Sequence, residues 1–274
     1  MAKNKQLPIH VVENSANGKL SVRGSAFNVI TTYAEVGPTC PRKCWFHPTG
    51  EYLEQAKALG LKPCYTKKGP TNFLVSAKAF QEADYTQLGI DGVAEVFNRI
   101  LTMHKFHRKH VDLIRWQTGG DILHPWTGQV WDEFVDLILD VAAMSRPLGI
   151  PTIGFTATWR EPGAQRLRRF FHASVQNEAD ARQASEMGWT VAYAVLKQDV
   201  PAGMKFLRSL STEIKALPCP EQTGKADSCA NCGACCYGDF TVVSPHPIEP
   251  SYMKYRRMLD SYLVPINLLL IQHN

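Results

Sequence analysis

The feature that most constrains this chain is a recurrence: a short β-branched or aromatic run, then a segment with helical periodicity. Residues 27–33 (FNVITTY), 112–117 (DLIRWQ), 151–158 (PTIGFTAT), 171–175 (FHASV) and 190–196 (TVAYAVL) read as strands, with 72–75 a weaker candidate. Helical periodicity runs through 50–59, 91–110 and 178–187. It is clearest in 129–144, where Val130, Phe134, Leu137, Ile138 and Val141 fall on one face at steps of three and four. Gly149 and Gly188 stand where helices should stop, and Pro151 adds a second break. Strand–helix alternation predicts an α/β fold with a parallel sheet, either doubly wound or a full or partial (β/α) barrel. In both, ligands gather beyond the C-terminal ends of the strands. Cys40, the run Thr118-Gly119-Gly120-Asp121, and Asn177 all stand just after expected strands.

After Ala216 the pattern changes. Residues 219–237 (CPEQTGKADSCANCGACCY) have neither period and are rich in cysteine and small residues. The expected organisation is an α/β body over 1–216, then a cysteine-rich, metal-organised extension and tail over 217–274. The tail from residue 251 reads as a helix or amphipathic stretch. A chain of 274 residues can bury a core without disulfide staples, so the eight cysteines are not needed for that purpose. No apolar stretch follows the lysines of residues 1–7, and the run 266–271 is too short to span a bilayer. Both favour a cytoplasmic protein with no membrane partner, where clustered cysteines bind metals or act in catalysis.

The cysteines form two groups. The compact one is Cys219, Cys229, Cys232, Cys235 and Cys236, whose two-residue spacings let thiolates turn onto one metal or cluster. Iron–sulfur and zinc are both open there. The looser group is Cys40, Cys44 and Cys64, the last after nineteen intervening residues. Spacing alone leaves a three-thiolate [4Fe–4S] cluster, a zinc site completed by His47, and packed apolar cysteines all open. Gly119 and Gly120 add weight to a ligand site, because two glycines let a backbone approach a ligand closely. The Asp121 carboxylate beside them could pair with a ligand ammonium.

These residues resemble the radical SAM superfamily, whose members carry a C-x3-C-x2-C loop after the first strand of a full or partial barrel. The resemblance implies that Cys40, Cys44 and Cys64 hold a [4Fe–4S] cluster whose open iron binds S-adenosylmethionine. Gly119, Gly120 and Asp121 match the family's Gly-Gly-Glu turn, with Asp in place of Glu. The departure is the spacing before Cys64, which a short helix inserted at 50–59 would explain. The cysteine-rich extension resembles the auxiliary cluster-binding segments of several subfamilies. A narrower resemblance is to bacteriophage-encoded members that act in thymidine hypermodification, which protects phage DNA from host restriction. It implies an isomerase converting N-linked glycinyl-thymidine to the C-linked form, in the host cytoplasm, with modified thymidine in DNA or a nucleotide as partner and an external electron donor.

Other residues carry two readings each. Asn177, near Ser174 and Gln176, either hydrogen-bonds a cofactor ribose or caps the helix at Glu178. His104, His107 and His110 suit a metal site or a solvated face. Arg166, Arg168 and Arg169 beside Phe170, and Lys254, Arg256 and Arg257 beside Tyr255, suit nucleic acid or plain surface. The net charge of +5 permits a nucleic-acid partner without demanding one. Trp116, Trp126, Trp131 and Trp159 read as core or as stacking platforms. A non-catalytic zinc or iron–sulfur nucleic-acid-binding protein is the competing function, followed by an iron–sulfur electron carrier or sensor and by a radical SAM enzyme with another substrate.

Overall fold

A computed structural model of the chain describes residues 7–13, 29–58, 64, 66, 72–81, 83–85, 98, 102, 113–146, 150–211, 214–220, 222–225, 235 and 266–272. Eight strands make one sheet: β1 His10–Glu13, β2 Val29–Tyr33, β3 Leu113–Gly119, β4 Thr152–Thr156, β5 Phe171–Val175, β6 Val191–Leu196, β7 Lys215–Pro218 and β8 Ile266–Gln272. Their order is β1-β2-β3-β4-β5-β6-β8-β7. Only β1 runs antiparallel to its neighbour; every other pairing is parallel. The sheet has two edges, β1 and β7, and is not closed.

Strands β2 to β6 lie side by side in chain order. Right-handed crossovers between such neighbours all return over the same face of the sheet. The helices α3 Asp132–Ser145, α4 Glu178–Glu186 and α5 Val200–Leu210 share one core with the strands, through Phe134, Ala181 and Leu207 against Ile114, Phe171 and Val191. Packing holds α3 in place. Its N-terminal Trp131 makes no side-chain cap, whereas Phe134, Val135, Leu137, Ile138 and Val141 are buried. A cap contributes about 1 kcal/mol, and each buried large side chain about 1.5–3 kcal/mol, so the stripe decides.

Alternation along a strand sends the intervening side chains to the other face. There Val29, Leu113 and Ile153 form a small cluster joined by Phe155 and Cys235. The Arg115 guanidinium lies 4.7 Å from the Phe155 ring centre, and that ring stacks on His172 at 5.3 Å.

The expected strand at 171–175 coincides with β5, those at 27–33, 151–158 and 190–196 hold β2, β4 and β6, and β3 runs two residues past the expected 112–117. Residues 72–75 are instead one helical turn, α2 Asn72–Val75, in which the Ser76 N–H bonds the Asn72 carbonyl. Within 50–59 lies α1 Leu53–Ala58. The expected helix at 91–110 falls almost wholly outside the described residues. The tail holds β8, a strand between β6 and β7, with Leu268 and Leu269 buried within a parallel sheet, as apolar runs in such sheets are. The boundary expected at 216 falls inside β7, so one sheet takes strands from both expected units.

Candidate functional site

The site is built where the chain leaves β2. The Ala34 N–H bonds the Gly119 carbonyl at 2.9 Å, tying the loop after β2 to the end of β3. Gly37, at φ +114°, turns the chain so that the Cys40 N–H reaches its carbonyl at 3.0 Å. The Cys44 N–H bonds the Pro41 carbonyl, and the Cys64 N–H returns to the Phe46 carbonyl at 3.3 Å. The nineteen residues before Cys64, which include α1, are therefore an excursion that leaves this loop and comes back to it.

Cys40 and Cys64 both pack against the cluster of Tyr33, Val36 and Val75. Burial pushes the Cys40 thiol well above its usual range, and charge on Cys44, Asp121 and Cys64 would push it the same way. Burial likewise pushes Cys44 up to about 12, with Cys64 and Asp121 adding to it and the backbone N–H groups of Phe46 and His47 opposing. The Cys64 sulfur lies 3.0 Å from the Thr66 hydroxyl. Cys40 and Cys44 thus stay protonated unless a cation displaces the protons, and Cys64 lies in the same neighbourhood. Among the described residues, no three His, Cys, Asp or Glu side chains are already closed into a metal-holding group. As a donor set, three soft sulfurs in one neighbourhood fit an iron–sulfur cluster.

Asp121 is the electrostatic centre of the strand ends. Its Oδ1 accepts from the Ile122 N–H at 2.9 Å and the Thr156 hydroxyl at 2.6 Å, and its Oδ2 from the Ala157 N–H at 2.8 Å. Its own N–H donates to the Thr39 hydroxyl, which donates to the Glu35 carbonyl. Through its N–H and its carboxylate, Asp121 therefore fastens the cysteine loop, β3 and the end of β4 together. Burial raises its pKa to about 6, although Thr156, Ala157 and Ile122 pull the other way. Gly119 and Gly120 are required by packing. A Cβ on Gly119 would meet Val75 Cγ1 at 2.6 Å, and one on Gly120, at φ +83°, would meet the Ala34 carbonyl at 2.8 Å.

A cavity of about 710 Å3 opens beside Cys40, among the loops that follow β2, β3 and β4. Glu35, Arg42, Lys43, Thr158 and Arg160 are on its wall. Arg160 is engaged with Asp180 and Gln183 and lies over the Trp159 ring. His47 also borders the cavity, but its Nε2 bonds the Gly37 carbonyl at 3.0 Å and its Nδ1 accepts from the Thr49 N–H at 3.1 Å. With both ring nitrogens used, His47 would have to give up a loop contact to complete a zinc site.

The remaining expectations fall elsewhere. Asn177 accepts the Asp180 N–H at 2.8 Å and so caps α4. Cys219 is buried at the end of β7, its N–H on the Leu269 carbonyl. Cys235 lies against β2, β3 and β4 on the second face, where His172 Nε2 donates to its carbonyl at 3.2 Å. Cys229, Cys232 and Cys236 lie outside the described residues, as do His104, His107, His110, Lys254, Tyr255, Arg256 and Arg257. Arg166 is paired with Asp132 and Asp136. Trp116, Trp131 and Trp159 are buried, whereas Trp126 is 68% exposed. Thr39 and Thr156 were not expected, since only the fold brings them to Asp121. Among the described residues no helix is long and apolar enough to cross a membrane. Comparison with protein-family models, with curated proteins and with solved structures finds no match to this chain.

Proposed function

We propose that the chain is a radical SAM iron–sulfur enzyme acting on a nucleotide or on DNA, on a full or partial barrel. The reading extends to the isomerisation of N-linked glycinyl-thymidine to its C-linked form in phage DNA. One observation carries it: Cys40, Cys44 and Cys64 share a buried neighbourhood with Asp121 at the C-terminal ends of parallel strands, beside a cavity of about 710 Å3. In α/β sheets this is the end where ligands bind. The engagement of both His47 nitrogens favours sulfur-only ligation over a zinc site completed by that ring.

Cys40, Cys44 and Cys64 would hold the cluster as thiolates. Bound there, a [4Fe–4S] cluster would supply the single electron that splits S-adenosylmethionine into methionine and a 5′-deoxyadenosyl radical. The chain's own tasks are orientation and exclusion of water. Asp121, through Thr39, Thr156 and Ala157, fixes the cysteine loop against the ends of β3 and β4. Asp121 is buried and Cys40 half-buried, which limits the water that reaches the site, as radical chemistry on an unactivated carbon needs. The cysteines of the extension would hold a second iron–sulfur cluster or zinc.

Anaerobic reconstitution with iron and sulfide, followed by reduction in the presence of S-adenosylmethionine, tests the proposal. The expected result is a [4Fe–4S] absorption and formation of 5′-deoxyadenosine, both lost in Cys44→Ala while the α/β body stays folded. Stoichiometric zinc, tight DNA binding and no 5′-deoxyadenosine would instead identify a binding protein. A redox-active cluster without cleavage would identify an electron carrier.

A further inference from the structure

The end of β3 holds a residue that the account above does not use. Between Thr31, paired with Arg115, and Tyr33, paired with Gly119, one residue of β2 lies opposite three of β3. The excess is a bulge containing Gln117, and bulges of this kind re-aim side chains beside active sites. Gln117 has φ +49° and is the one non-glycine residue with positive φ among the described residues. Its N–H is held by the Thr32 hydroxyl at 2.9 Å, which fixes the bulge. The side chain is 5% exposed, and neither Oε1 nor Nε2 has a hydrogen-bond partner among the described residues.

Each of these features opposes folding. Left-handed backbone is strained for a residue with a Cβ, and a buried amide with no partner loses its hydration without compensation. Methionine has a similar length and would fill the same space without either unpaired group. Packing therefore gives no reason for a carboxamide here. A carboxamide presents one acceptor beside donors in a single plane. Its natural complement is a planar edge that places a donor beside an acceptor, as the imide of thymine or the N6–N7 edge of adenine does.

We propose that Gln117 is a specificity residue whose carboxamide reads the edge of a nucleobase held at the C-terminal end of β3. This deepens the nucleotide reading above and rests on it. The Gly119 to Asp121 segment that follows within the same strand end is already part of the candidate site. Sequence alone offered no sign of it, because both the bulge and the unpaired amide are properties of the sheet.

The test uses the full-length chain and its Gln117→Met and Gln117→Gly variants. Thymidine, 3-methylthymidine, deoxyadenosine and S-adenosylmethionine are titrated into each by calorimetry, with melting temperatures measured alongside. Gln117→Met should melt above the native chain while binding one nucleoside about tenfold or more weakly. If that nucleoside is thymidine, 3-methylthymidine should bind the native chain as poorly as thymidine binds the variant. If it is deoxyadenosine, affinity for S-adenosylmethionine should fall in step, and the edge read is the cofactor's. Gln117→Gly, which removes the amide and tolerates the φ, should reproduce the loss even if the methionine variant folds poorly. Equal binding of both nucleosides by native and variant chains would overturn the proposal. So would the failure of either nucleoside to bind the native chain at millimolar concentration, or a lowered melting temperature in both variants. Formation of 5′-deoxyadenosine by the native chain is read separately, so failure of the radical SAM reading is told apart from failure of base recognition.

Discussion

The two faces of the sheet are built on different chemistry. The helix-covered face is apolar along β3, β5 and β6: Ile114 and Trp116 on β3, Phe171, Ala173 and Val175 on β5, Val191 and Val195 on β6, all in one core. On the other face Arg115 lies over Phe155 and Phe155 stacks on His172, with Cys235 against the small cluster at the strand starts. Burying apolar surface holds the fold together, and one face suffices for that. The second face is free to carry polar groups that folding does not require, so chemistry belongs there and at the strand ends it leads to.

The sharpest test of this division is Trp116→Ala on the helix-covered face. Trp116 is fully buried, and its loss should destabilise the chain by about 3–5 kcal/mol in urea denaturation. Next is Asp121→Ala at the strand ends, which orphans the Ile122 and Ala157 N–H groups and the Thr156 hydroxyl. Unpaired buried donors cost about 1–3 kcal/mol each, so a loss of roughly 3 kcal/mol or more is expected. Urea midpoints would show it.

The pH dependence of stability separates the strand ends from the second face. Burial raises Asp121 to about 6, so its contribution is present below its unfolded value near 4 and is lost as pH rises through 6. Burial lowers His172 to about 4, so its contribution is present above 6.5 and is lost as pH falls through 4. Between pH 4 and 6 the two oppose each other in the metal-free chain. Relative to the native chain, His172→Gln should gain about 2 kcal/mol on going from pH 6.5 to 4.5. A flat difference between the two chains over that range would contradict the burial of His172 on the second face. The smallest effect is expected for Phe155→Leu on the second face, about 1 kcal/mol or less. A loss matching that of Trp116→Ala would erase the distinction between the faces.

The parallel body was legible because β-branched runs bounded by glycine and proline need no partner to be recognised, and 171–175 coincides with β5. Residues 72–75 misled because the three apolar residues Phe73, Leu74 and Val75 suit one helical turn as well as a strand. The run at 266–271 showed its hydrophobicity but not its place between β6 and β7, which only pairing with both strands decides. At the site, Cys40, Cys44 and Asp121 were legible by position after strands. The approach of Cys64 was not, because it depends on a backbone bond to Phe46 across eighteen positions. The glycines were legible as a close approach, but what approaches them is the chain's own Val75 and Ala34.

The central claim is that three cysteines at the C-terminal end of the sheet hold one cluster with an iron open to S-adenosylmethionine. Electron paramagnetic resonance of the reduced, reconstituted chain with Cys229, Cys232, Cys235 and Cys236 all replaced by alanine tests it most directly. The account predicts about four irons per chain and a cluster signal that shifts when S-adenosylmethionine is added. A chain that takes up no iron, or whose signal ignores S-adenosylmethionine, would contradict it.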